Sequence, residues 1–212
     1  MEGSRQTDGR VRRAERTRAA IVDAHVRLLR DGTLKPSAKA IAEAAGVSVR
    51  TLWLAFGDME SLFAQTVAYW FASDDALAVV IDPAQELDQR IDRFCAARTR
   101  RLTNIAPAAR AAQLMEASSS TLRASRRRHI ENVLAEIDTV FATELAASAA
   151  PEPLRDAMLA ASSWNSWSIL RDDLGRSAEE CESAMRHALT ALLTGPAPQS
   201  MPSSRDSDHD AS

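Results

Sequence analysis

Between Ala40 and Phe56 the sequence reads AIAEAAGVSVRTLWLAF, and the spacing of its small, apolar and turn-forming residues permits few folds. Two helices that cross closely need a small residue at the contact, a turn residue tolerant of positive φ, and apolar inner faces. Ala42 supplies the first and Gly46 the second. Ile41, Ala45, Val47, Leu52 and Ala55 fall at the inner positions. Together these residues describe a helix-turn-helix, expected at about 37–56, more closely than an ordinary αα-hairpin. Ser37 and Ser48 stand where N-caps are needed.

The rest of the chain reads helical. Ala, Leu, Arg and Glu dominate, and no alternating strand pattern bounded by turn signals occurs. A first helix is expected over about 12–30, where Ile21, Ala24, His25, Leu28 and Leu29 share a face. A second, opened by Pro36-Ser37, runs to Ala45, and a third runs from Ser48 to Phe56. A fourth starts after Asp58 and reaches about Ala72, or as far as Val80. A fifth is expected over about 83–104, a sixth from Pro107 to near Ser118, and a seventh over about 121–148. An eighth is expected from Pro151 to near Gly175, and a ninth from Ser177 to Gly195-Pro196. The fold class is therefore all-α with about nine helices. A three-helix helix-turn-helix domain (14–58) follows a basic flexible arm (1–13) and precedes a larger helical effector-binding and dimerisation domain (59–195). The Pro/Ser/Asp-rich tail 196–212 is expected to be disordered.

Charge divides the chain at the same place. Residues 1–56 carry eleven Lys and Arg against six Asp and Glu, a net of +5; the remainder carries fifteen against twenty-three, a net of −8. A basic first quarter on an acidic body fits a polyanion-binding end. No apolar run is long enough to cross a membrane, and no apolar stretch follows the N-terminal arginines as in a secretory signal. Cys95 and Cys181 lack metal-ligand spacing, so reduced thiols in a cytoplasmic protein are expected, with no metal and no cofactor. The four histidines are scattered, and no HExxH, phosphate loop or paired-carboxylate signature appears, so an enzyme is not expected.

The segment from Arg16 to Val67, above all IAEAAGVSVRTLW-x-x-F and the E-x-L after it, resembles the DNA-binding domain of the TetR family of bacterial transcriptional regulators. The resemblance implies a homodimer on a palindromic operator of double-stranded DNA, released when a small-molecule effector enters the C-terminal domain. It implies that the helix over 48–54 lies in the major groove. Thr51, Trp53 (usually tyrosine in the family) and Ser37 match positions that contact phosphate. Two positions depart from the family: Met59 stands where a lysine is frequent, and Leu54 where a polar or basic residue is frequent.

A helix with one basic residue can still read DNA, because most hydrogen bonds to DNA go to phosphates and position the protein without reading sequence. Ser37, Ser48, Thr51, the Trp53 indole and helix-terminal amides can serve there. Arg16 and Arg18, with Arg10, Arg12 and Arg13, can follow the backbone or a minor groove. Base readout is left to Arg50, as a bidentate partner of guanine or else a phosphate contact, and to Val49 or Leu54 against a thymine methyl. An activator or a nonspecific DNA-packing protein has the same features.

In the acidic body, apolar stripes on the last two helices are expected to meet their two-fold copies in a four-helix bundle. The stripes are Leu154, Met158, Trp164 and Trp167 on one helix and Met185, Leu189 and Leu192 on the other, the tryptophans being either interface or monomer core. Phe63, Val67, Trp70 and Phe71 on the fourth helix are expected to line an effector pocket. Phe94 and Arg98, Leu114 and Met115, and His129 would complete it from the next three helices.

Overall fold

The structure, a computed structural model, describes residues 2–195, with side chains from residue 9 onward. The tail expected to be disordered, 196–212, lies outside the described residues. Among these residues there are ten α-helices and no strand.

Helix α1 (Glu2–Arg30) begins well before the expected start near residue 12. The segment expected to be a flexible arm is its first turns. Nothing between Glu2 and Arg13 stops a helix, since there is no proline and Glu, Gln and Arg favour helix. Arg10, Arg12 and Arg13 are thus presented, exposed, from a helix surface. The helix closes at Gly32 (φ 89°), where the amides of Gly32 and Thr33 return to the carbonyls of Leu29 and Leu28.

Helix α2 (Ala38–Ala44), helix α3 (Val49–Phe56) and helix α4 (Met59–Asp75) each start on the side-chain cap that the sequence offers. Ser37 Oγ accepts the amide of Ala40 at 3.1 Å, Ser48 Oγ that of Thr51 at 3.0 Å, and Asp58 Oδ1 that of Ser61 at 2.7 Å. Gly46 (φ 67°) makes the turn between α2 and α3. Its amide bonds to Glu43 O and the next, of Val47, to Ala42 O, so the last carbonyls of α2 are satisfied as the chain reverses. Ile21, Ile41, Ala42, Leu52, Phe56 and Leu62 form one core under these helices, and Ala45, Val47, Ala55 and Met59 pack against it.

The body holds helix α5 (Leu87–Met115), helix α6 (Ser120–Val140), helix α7 (Ala142–Ala147), helix α8 (Pro151–Ala161), helix α9 (Trp164–Ser168) and helix α10 (Ala178–Thr194). Three boundaries differ from expectation. The fifth and sixth expected helices are one, because Pro107 sits inside α5. An interior proline costs about 3 kcal/mol, and packing of α5 against α10, α1 and α4 offsets it. The expected seventh helix divides at Phe141 into α6 and α7. The eighth divides at Ser162, after which α9 widens into a π-turn over Ile169–Asp173. Helix α10 opens with a reciprocal cap, Ser177 Oγ to the Glu180 amide at 3.1 Å and Glu180 Oε2 to the Ser177 amide at 2.7 Å.

A second core fills the body. Phe94 meets Phe141 edge to face, with ring centroids 5.4 Å apart. Met158, Trp167, Met185 and Leu189 lie with them. Both cysteines are free and buried, and burial pushes the Cys95 thiol up to about 12. Ion pairs brace the helices: Arg90 to Glu144 at 2.6 Å, Arg101 to Asp74 at 2.6 Å and to Glu136 at 3.0 Å, and Arg110 to Asp172 at 2.6 Å.

Candidate nucleic-acid interface and the adjoining cavity

Helix α3 separates its side chains sharply. Leu52 and Phe56 are buried in the first core, while Val49, Arg50, Trp53 and Leu54 face outward. Leu54 is 75% exposed. Thr51 is half-buried, and its hydroxyl lies 2.8 Å from that of Ser48, so the two form one polar corner at the start of the helix. Ser37 and Ser48 accept amide protons as caps; the Ser37 hydroxyl proton stays available to a phosphate, and the Ser48–Thr51 pair keeps one hydroxyl proton to give. The Arg16 Nε bonds to the carbonyl of Arg12 at 3.3 Å, and the Arg18 guanidinium lies 5.8 Å from the centre of the Phe56 ring. Arg18 therefore sits beside the C-terminal end of α3. Met59 packs on the first core instead of offering a charge to solvent.

A cavity of about 480 Å³ lies where α4, α5, α6 and the α8–α9 corner meet. Of the residues expected to line a pocket, Phe63, Val67, Trp70 and Phe71 do so from α4, Arg98 and Met115 from α5, and His129 from α6. Two do not. Phe94 points into the second core against Phe141, and Leu114 turns outward, 63% exposed. Among the wall residues not expected from the sequence are His25, Thr66 and Asp74, and Trp164, expected on the interface stripe or in the core, also lines the cavity. A histidine on the apolar stripe of the first helix was the available signal for His25. Asp74 carries none in its local sequence.

The expected interface stripes pack in large part within the chain. Met158, Trp167, Met185 and Leu189 are each at most 4% exposed, whereas Leu154 and Leu192 pack against the same core but stay half-buried. Helix periodicity marks an apolar side but not which neighbour covers it, and here α5 covers α10.

Helix α4 belongs to both regions. Its first turn, with Met59 and Leu62, packs into the first core, while Phe63, Thr66, Trp70 and Asp74 form a wall of the cavity. Glu60 reaches the N-terminus of α6, where its Oε2 accepts the Thr121 amide at 3.0 Å. Hydrogen bonds from Ser119 and Thr121 hold this carboxyl down at about 2. On the other side, Arg30 of α1 bonds to the Tyr69 hydroxyl at 3.1 Å.

Two solved structures superpose on this arrangement. One, a transcriptional regulator from a Rhodococcus species, gives a TM-score of 0.58 at 18% identity, covering 86% of this chain and 96% of that one. The other, a putative TetR-family transcriptional regulator from Mesorhizobium loti, gives 0.56 at 19% identity, covering 86% and 97%. The chain shares the all-α fold of these two structures. No family model matches the sequence, and no curated protein matches it. In this fold, α1–α3 with the start of α4 are the helix-turn-helix end, and α4–α10 are the body. Among the described residues no helix is long and apolar enough to cross a membrane.

Proposed function

We propose that this protein is a sequence-specific, DNA-binding transcriptional regulator of the cytoplasm. In this reading it acts as a homodimeric repressor on a palindromic operator and is released by a small molecule. The observation that carries the reading is α3 itself: a capped helix, held by Leu52 and Phe56, that exposes Val49, Arg50, Trp53 and Leu54 to solvent. The polar corner of Ser48 and Thr51, with Ser37 and the Trp53 indole, contacts phosphate. Arg50 contacts guanine, and Val49 or Leu54 packs on thymine methyls. With Met59 in place of a cation, phosphate affinity leans on the arginines of α1.

One helix-turn-helix makes too few contacts for useful specificity, and two must sit about 34–36 Å apart to use successive major grooves. Met158, Met185 and Leu189 are buried, so the dimer forms through the outer surfaces of α8 and α10, where Leu154 and Leu192 are half-buried, and the adjoining π-turn, where Ile169 and Leu174 remain 52% and 58% exposed.

Release follows from α4 being shared. A ligand that displaces Thr66, Trp70 or Asp74 shifts the helix that props the reading head, and the two heads lose their common spacing. Gel-shift titration of the protein on DNA fragments recovered from its own genomic sites tests the reading. Tight binding to one short palindrome supports it, and equal affinity for random DNA of the same length contradicts it.

A further inference from the structure

Nine buried polar side-chain atoms among the described residues lack a hydrogen-bond partner, and seven of them belong to residues of a single cavity. They are His25 Nε2, Trp70 Nε1, Asp74 Oδ1, Arg98 Nε and Nη1, His129 Nε2 and Trp164 Nε1. Buried polar groups are normally satisfied, so such a concentration marks a place built for something else to bind.

Arg98 is the most demanding member. It is 0% exposed, and its one bond runs from Nη2 to the Ser162 carbonyl at 3.0 Å. No carboxylate among the described residues forms an ion pair with it. The nearest candidates are taken, since Arg101 holds Asp74 Oδ2 at 2.6 Å and Glu136 Oε2 at 3.0 Å. A buried, unpaired guanidinium is costly, and burial pulls its pKa down to about 10. The nearby His129 is held neutral, pushed down to about 4 by burial and then by the charge of Arg98. His25 is likewise at about 4 through burial. The cavity thus offers one guanidinium without an ion-pair partner, donors from two indoles, and largely aromatic and alanine walls, with the Arg126–Glu116 pair and Asp156 also in its lining.

We propose that the cavity takes an amphipathic organic acid with a single carboxylate, received by Arg98 and carrying an apolar body among Phe63, Trp70, Phe71 and Trp164. A dianion is disfavoured, because Arg98 supplies one charge and the second carboxylate oxygen of Asp74 stays in the wall. The proposal rests on the reading that the cavity is the ligand site.

Matched acid and alcohol probes test it: decanoate against decanol, and naphthoate against naphthylmethanol, measured by calorimetry on the full chain and on Arg98→Met. Wild type binds at least one acid about tenfold or more tightly than its alcohol, and Arg98→Met levels the pair. The wild-type ratio decides even where the variant fails to fold. Alcohols bound as well as acids by wild type overturn the proposal and leave the cavity as a ligand site. An acid preference that survives in folded Arg98→Met overturns the role of Arg98. Absence of binding by all four probes overturns both the acid proposal and the ligand-site reading for bodies of these sizes. Acids that bind through Arg98 while the operator stays bound support the proposal and defeat only ligand-driven release.

Discussion

His25 of α1 donates its Nδ1–H to the Thr66 hydroxyl of α4 across 2.9 Å, and that hydroxyl gives its own proton to the Leu62 carbonyl at 3.0 Å. A threonine has one proton to give, so the imidazole must be the donor in the first bond. The His25 tautomer is thereby fixed, with Nε2 left as a bare acceptor in a residue of the cavity wall. The same bond ties the first helix of the helix-turn-helix end to the helix shared with the body.

Thr66→Val removes the acceptor and leaves the His25 N–H unpaired in a buried place. The expected loss is about 1–3 kcal/mol, read as a lower urea midpoint with an unchanged slope. A midpoint equal to wild type would show that the bond contributes nothing.

Protonation makes the same region sensitive to acid. His25 and His129 both titrate near 4 in the folded chain against 6.5 unfolded. Both must stay neutral to remain buried, so their contribution is complete above pH 6.5 and is lost as pH falls from 6.5 toward 4. The expected slope is on the order of 1 kcal/mol per pH unit for each histidine. Glu60, lowered from 4.5 to about 2, adds a separate loss between those values. Urea melts at a series of pH values check this, and His25→Gln should roughly halve the slope of the upper window, with His129 supplying the rest, while leaving the lower one.

Gly46→Ala tests the turn. An added Cβ would meet nothing within 4 Å, so the cost is backbone strain at φ 67° alone. We expect about 1–2 kcal/mol of destabilisation, seen as a lower thermal midpoint, with operator affinity recovered at low temperature. A larger drop would mean that the turn residue also packs.

Deleting residues 1–15 removes the exposed Arg10, Arg12 and Arg13 from the first turns of α1. Binding to any DNA should weaken, and the dependence of log K on log salt should flatten by roughly 0.9 for every phosphate that those arginines neutralise. An unchanged slope would take them out of the interface.

The helix-turn-helix was legible in the sequence because every relationship that defines it is local. Ala42 and Gly46 are four residues apart, the caps Ser37 and Ser48 precede their helices directly, and Leu52 and Phe56 share one side of a short helix. The body was less legible because its decisive contacts join distant segments. Leu189 and Met158 read correctly as apolar stripe residues, yet nothing near them says that α5 and α8 bury the stripe of α10. Phe94 and Leu114 were expected to line the cavity by helix membership, and the rotation of α5 sends one into the core and the other to solvent. Pro107 reads as a helix start from its own ring, while tertiary packing carries the helix through it. Asp74 lines the cavity while Arg101, from another helix, holds one of its oxygens, a pairing that its local sequence does not show.

The central claim is that α3 reads a sequence and that Arg50 does the reading. Operator and random-DNA affinities of wild type and Arg50→Ala, measured side by side at one salt concentration, test it most directly. Arg50→Ala is expected to weaken operator binding by about 1–3 kcal/mol and to leave random-DNA binding almost unchanged. An equal weakening on both would make Arg50 a phosphate contact and contradict the claim.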